Sequence, residues 1–136
     1  MGSRAGRALR RLTYLDTHIV VWLYEGQLKR LSREAAREID RAASLLISPA
    51  VELELAYLYR RGRVKAAPDT MINDLRARIG LAVCDMPFPL VSREAQALTW
   101  TEDVFDRLIV AQAAASRSKL ISADRLINEH YPHVVW

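Results

Sequence analysis

Leu12-Thr13-Tyr14-Leu15-Asp16-Thr17 is the stretch that decides the predicted fold of this chain. Its first four residues form a short β-prone run, which ends abruptly at Asp16 and Thr17, two residues that cap helices. The apolar segment that follows, residues 17–25, is long enough for a packed helix, and Gly26 closes it. The stretch therefore predicts a strand, a turn and a helix in that order.

The same alternation of short apolar strands and helices continues along the chain. Further strands are predicted at residues 45–48, 81–84, 120–122 and 134–136. Helices are predicted over 49–62, 68–80, 91–98 and 104–116, near residue 123, and from Ser32 with Ala36, Ile39, Ala42 and Ala43 on one face. Parallel neighbours need a crossover helix, so this order predicts an α/β fold with a parallel sheet covered on both faces.

The composition predicts one domain. The chain has 136 residues, of which 51% are hydrophobic, enough for one core and too few for two. We predict a single domain over residues 12–136, preceded by residues 1–11, which read equally well as a basic N-terminal arm or a cloning remnant. The single cysteine, Cys84, excludes an internal disulfide, and no apolar run is long enough to cross a bilayer. We therefore expect a cytoplasmic protein with no membrane attachment.

The charge balance suggests a class of partner. The formal net charge is +4, and basic residues cluster at 4–11, 60–65 and 117–125. Such clusters attract polyanions, nucleic acid among them, although many basic domains bind none. The class of reaction must therefore be inferred from the acidic residues.

Four acids fall near the predicted carboxyl ends of strands, where open α/β sheets form their functional crevice. Asp16 and Asp124 follow the first and fourth strands, and Glu54 and Asp106 lie early in two of the helices. Carboxylates at short range repel one another unless a cation joins them, and Mg²⁺ or Mn²⁺ prefers such oxygen ligands. The pattern favours metal-assisted phosphodiester hydrolysis. Taken singly, each acid is explained as well by a helix cap or an exposed helix residue.

Four motifs, in order, carry a resemblance to a known family. The PIN domains, and in particular the VapC-type toxin ribonucleases, are similar to this chain in Leu15-Asp16-Thr17-His18, in the segment from Ser48-Pro49 to Glu54-Leu55, in Asp103-Val104-Phe105-Asp106-Arg107-Leu108-Ile109-Val110-Ala111-Gln112-Ala113, and in Ile121-Ser122-Ala123-Asp124. The third motif is the most specific. Val104 and Ser122 stand where many relatives have proline and threonine, and neither departure removes a carboxylate.

The resemblance implies a three-layer α/β/α sandwich with a central parallel sheet. It further implies a Mg²⁺- or Mn²⁺-dependent endoribonuclease that acts on RNA, forms a homodimer and is inhibited by a cognate antitoxin protein. Carried over by motif position, the catalytic and metal-binding acids are Asp16, Glu54, Asp106 and Asp124, with Asp103 as a further candidate ligand. Candidate substrate contacts beside them are Arg107, Arg125 and Ser122.

Two other functions stay open at this point. A catalytically silent PIN-like binding module would neutralise its acids with an arginine of a partner, and a DNA-directed nuclease would share the same fold. Asp103 is expected to cap the helix that contains Asp106, and the apolar helix over residues 49–62 is expected to support self-association through Val51, Leu55, Tyr57, Leu58 and Tyr59. Trp22, Trp100 and Trp136 are assigned to the core or a dimer interface rather than to an RNA-stacking surface.

Overall fold

The computed structural model describes residues 12–136, so the predicted basic arm at 1–11 lies outside the described residues. Five strands form one parallel sheet in the order β3-β2-β1-β4-β5. They are β1 (Leu12–Leu15), β2 (Ser44–Ile47), β3 (Ala82–Val83), β4 (Lys119–Ile121) and β5 (Val134–Val135). The predicted α/β class with a parallel sheet is confirmed.

Seven α-helices accompany the sheet in residues 12–136. They are α1 (Thr17–Glu25), α2 (Arg33–Arg41), α3 (Pro49–Arg60), α4 (Pro68–Ile79), α5 (Phe88–Gln96), α6 (Val104–Ala115) and α7 (Arg125–His130). Helix α5 begins three residues before the prediction, because Pro89 sits in its first turn, where a missing N–H costs nothing. None of these helices is long and apolar enough to span a membrane.

The buried face of α2 differs from the prediction. Ala43 is exposed and lies beyond the helix, whereas Ala35 and Glu38 are buried. The Glu38 carboxylate accepts a hydrogen bond from Thr13 Oγ1 at 3.0 Å and pairs with Lys119 Nζ at 3.0 Å. A buried acid needs such partners, and a hydrophobic pattern alone could not predict it.

The order of the strands reverses between β1 and β4, and ligands of open α/β sheets bind beyond the carboxyl ends at such a switch point. Asp16 follows β1 directly, and its backbone N–H donates to the carbonyl of Ile121, the last residue of β4, at 3.0 Å. Helices α3 and α6 pack against each other. The topology thus brings the ends of two strands and two helices to one crevice.

Candidate active site

An open pocket of about 540 Å³ occupies this crevice. Five carboxylates line it: Asp16, Glu54, Asp103, Asp106 and Asp124. The fold therefore gathers all four acids predicted to be catalytic, together with the further candidate ligand. Their catalytic role stays a prediction.

Asp16 is held by hydrogen bonds to both of its carboxylate oxygens. The Thr17 N–H donates to Oδ1 at 2.8 Å, and the Ser122 hydroxyl donates to Oδ2 at 2.6 Å. Ser122 Oγ in turn accepts the N–H of Asp124 at 3.0 Å. The substrate contact predicted for Ser122 needs correction, because its side chain is fully buried and absent from the pocket lining. Ser122 positions Asp16 instead.

Asp124 caps α7, and the residue before it contacts α1. Asp124 Oδ1 accepts the N–H of Ile127 at 3.0 Å and so caps α7. The neighbouring N–H of Ala123 donates to His18 Nε2 at 2.9 Å, while His18 Nδ1 lies 3.7 Å from Asp16 Oδ2. The imidazole therefore ties the loop after β4 to α1.

Glu54 and Glu52 point in different directions from α3. Glu54 lines the pocket and its Oε1 accepts a hydrogen bond from the Thr17 hydroxyl, whereas Glu52 is not among the lining residues. Burial raises the pKa of Glu54, the Thr17 bond opposes that rise, and the charges of Asp16 and Asp103 add to it. Glu54, the predicted acid of this helix, therefore faces the crevice, and Glu52 lies outside the pocket lining.

Asp103 and Asp106 share one turn of α6. The Asp106 N–H donates to Asp103 Oδ1 at 3.0 Å, so the predicted N-cap is confirmed. Asp106 is partly buried, and burial is the largest cause that raises its pKa to about 7. The charges of Asp16, Asp103, Asp124 and Glu54 raise this pKa further. The environment of the Asp106 carboxylate thus disfavours its negative charge through burial and through four acidic neighbours.

The donor set fits a hard divalent cation that keeps part of its water shell. In residues 12–136, no three His, Cys, Asp or Glu side chains are grouped closely enough to hold an ion by themselves. Mg²⁺ is usually bound through one or two carboxylates with several waters, and the spread of the carboxylates around an open pocket suits that mode. Burial and the charges of four neighbouring acids raise the pKa of Asp106, and a bound cation would favour its charged form.

The arginines of the pocket are not those expected from the sequence. Arg107 is not among the lining residues, and its guanidinium donates to the carbonyl of Ala95 at 3.0 and 3.3 Å, which ties α6 to α5. Arg125 is exposed, pairs with Glu129 at 2.9 Å and also lies outside the lining. The lining includes Arg30 and Arg63 instead. Arg63 belongs to the basic cluster at 60–65, whereas no motif marks Arg30.

Comparison with known proteins relates most of the chain to one family and one curated relative. Residues 13–131 match the family model described as PIN domain. Ribonuclease VapC22 of Mycobacterium tuberculosis (strain ATCC 25618 / H37Rv) is 29% identical over 129 residues, which span 90% of this chain and 96% of the relative.

Two solved structures are similar in fold. VapBC2 from Rickettsia felis, bound to a DNA fragment from its promoter, superposes with a TM-score of 0.63 and 17% identity, covering 90% of this chain and 95% of that one. A toxin-antitoxin complex from Klebsiella pneumoniae gives a TM-score of 0.62 and 18% identity, covering 91% of this chain and 96% of that one. At these identities the likeness concerns the fold alone.

Proposed function

Because the chain belongs to the PIN domain family, we propose that it is a metal-dependent endoribonuclease of the VapC type and the toxin of a toxin-antitoxin pair. The observation that carries this proposal is the crevice at the β1/β4 switch point, which five carboxylates line and where burial, together with the charges of the other four acids, raises the pKa of Asp106 to about 7. The name of the Mycobacterium tuberculosis relative supports RNA as the substrate. The two solved complexes support an antitoxin protein as the partner. Action in the cytoplasm is favoured by an RNA substrate and by the single unpaired cysteine.

In the proposed mechanism, Asp16 and Asp106 would be the carboxylates that bind Mg²⁺ or Mn²⁺ directly, and the charges of Glu54 and Asp124 would complete the site around the waters of the ion. When bound, such an ion stabilises negative charge on the phosphodiester and makes water a better nucleophile. Ser122 and the Thr17 N–H orient the Asp16 carboxylate, so that its charge is held in the crevice without reorganisation. The Thr17 hydroxyl orients Glu54 in the same way.

A cleavage assay separates this proposal from its two alternatives. The full chain is incubated with a labelled RNA and a DNA of the same sequence, in Mg²⁺, in Mn²⁺ and in EDTA. We expect cleavage of RNA that needs the divalent ion. Cleavage of neither polymer would favour the silent binding module, and preferential cleavage of DNA would favour the DNA-directed nuclease.

Glu54→Gln and Glu52→Gln form a matched pair that tests the assignment on α3. We expect Glu54→Gln to lower the rate of RNA cleavage by about 100-fold, because the variant removes a negative charge that faces the crevice. Glu52→Gln should stay close to wild type, since Glu52 is not among the lining residues. Single-turnover cleavage rates measure both effects. Equal losses in the two variants would contradict the assignment of Glu54.

We propose a homodimer that forms through an apolar groove rather than through the whole set of residues expected from the sequence. Of that set, Val51 and Leu55 are core residues with 0% exposure, whereas its two tyrosines are exposed. Leu53 and Phe88 are 62% and 63% exposed, and both line an apolar groove between α3, α5 and α6. Exposed apolar patches of this kind support a protein interface.

Self-association is tested by light scattering at micromolar concentration. We expect a dimer for the wild type and a monomer for Leu53→Asp combined with Phe88→Asp, because charge in a buried apolar contact is costly. Leu126→Asp is the matched control, since Leu126 is an exposed leucine on α7, outside the groove. A monomeric wild type would contradict the dimer. A double variant that still dimerises would show that the groove is not the dimer interface.

A further inference from the structure

The pocket has a second wall that the proposed metal chemistry does not use. Beside the carboxylates, Trp22 and Arg30 line the same cavity. The Arg30 guanidinium carbon lies 4.5 Å from the centroid of the Trp22 ring, a cation–π contact. The Trp22 ring also packs against His18 at 5.0 Å and against Trp136 at 6.1 Å between ring centroids. A cluster of aromatic rings with one guanidinium over the Trp22 ring therefore adjoins the acidic crevice.

The chain reaches this arrangement through the turn after α1. Gly26 ends the helix in the left-handed conformation at φ 73°, and the Gln27 N–H donates back to the carbonyl of Trp22 at 2.8 Å. The 3₁₀ turn Leu28–Arg30 then places Arg30 over the indole, and Arg30 Nη1 donates to Gln27 Oε1 at 3.1 Å. Two contacts thus orient the guanidinium plane before any ligand arrives.

The Arg30 side chain is accessible to a ligand. It is exposed, and within residues 12–136 no carboxylate pairs with it. Proteins that recognise single-stranded RNA stack splayed bases on aromatic rings and on guanidinium planes. A base inside a duplex has both faces occupied by its neighbours and cannot use such a surface.

We propose that Arg30, stacked on Trp22, forms a subsite for an unpaired nucleotide base beside the carboxylates. The subsite rests on the proposed function, since it makes single-stranded RNA the substrate class of the same crevice. It gives Trp22, which packs against the core as expected from the sequence, a further role in RNA binding. Arg63, on the same pocket, supplies positive charge for the adjoining phosphates.

The test compares two probes that differ only in their bases. A short single-stranded oligoadenylate and its abasic counterpart carry the same phosphates, and EDTA keeps both intact. Fluorescence anisotropy gives the ratio of their affinities for the full chain. We expect wild type to prefer the oligoadenylate and Arg30→Lys to reduce that preference about tenfold, because lysine keeps the charge but has no plane to stack. Lys29→Arg, one residue away and outside the pocket lining, should keep the wild-type ratio.

Three results would overturn the subsite. The first is equal affinity of wild type for both probes, as expected if the surface serves a protein partner. The second is a preference for the oligoadenylate that survives Arg30→Lys, and the third is no binding of either probe at millimolar concentration. RNA cleavage by the same preparations, in Mn²⁺, keeps this test apart from that of the proposed function. Cleavage of RNA without a preference for bases would contradict the subsite but not the proposed nuclease. A preference for bases without cleavage would contradict the nuclease but not the subsite.

Discussion

Asp16→Asn is expected to reduce RNA cleavage by about 100- to 1,000-fold, the range found when one preorganised electrostatic contact to a transition state is removed. Asp16 is only 3% exposed, stands at the switch point of the sheet and has both oxygens held by donors. Its negative charge is therefore kept in the crevice, where a divalent ion would be bound. Asparagine has the same shape but lacks that charge.

The stability of Asp16→Asn should stay close to that of wild type. The amide oxygen can still accept the Thr17 N–H, and the Ser122 hydroxyl can turn to accept from the new amide nitrogen. Removal of one charge also relieves repulsion with Glu54 and Asp106, which offsets weaker hydrogen bonding. The loss of activity is thus separable from a loss of fold.

Single-turnover cleavage and thermal melting measure the two properties on the same preparation. Asp40→Asn is the matched control, since Asp40 is an exposed aspartate on α2 away from the pocket. It should keep both activity and stability. Undiminished cleavage by Asp16→Asn would remove this residue from the mechanism and with it the proposed metal site.

The fold was predictable because local signals agreed with the overall topology. The β-prone run before Asp16, the Ser48-Pro49 helix start and the Asp103 cap each determine an element by short-range chemistry, and the structure has all three. Strands that alternate with helices leave few arrangements besides a parallel sheet. The gathering of acids at the strand ends followed from that topology, with no knowledge of side-chain contacts.

The details that sequence reasoning missed depend on contacts between distant segments. Arg107 looked like a phosphate ligand because it adjoins Asp106, yet a neighbour in sequence points elsewhere on a helix, and it reaches Ala95 instead. Arg30 has no motif around it, and its place over Trp22 depends on how the chain turns after α1. Such positions follow from packing, which a pattern of residue types does not encode.

Asp106→Asn should stabilise the ion-free protein at neutral and alkaline pH. The pKa of Asp106 rises from 3.8 to about 7 on folding, so the folded chain keeps this proton in a pH range where the unfolded chain has lost it. Stability falls with pH wherever the folded state binds more protons. The cost therefore begins above pH 4, is complete above pH 7 and amounts to roughly 2–4 kcal/mol. Asparagine has no such proton to lose.

The difference in unfolding free energy between Asp106→Asn and wild type should be near zero at acid pH and grow to its full size above pH 7. Urea unfolding in EDTA across this range measures it. Asp40→Asn is the control, because Asp40 is an exposed aspartate outside the pocket lining and is not among the charges that raise the pKa of Asp106, so its effect should be small. A pH-independent difference, or a variant less stable than wild type at pH 8, would contradict the raised pKa.

Divalent ions are expected to stabilise wild type but not Asp106→Asn. At pH 8 the wild-type crevice holds its full negative charge, so Mn²⁺ should raise the melting temperature of wild type by mass action on the folded state. Asp106→Asn has lost one of the two chief ligands and already lacks the repulsion, so Mn²⁺ should leave its melting temperature almost unchanged. An equal rise in melting temperature for both proteins would show that Asp106 is not a ligand of the ion. The remaining carboxylates of the crevice would then be the candidate ligands.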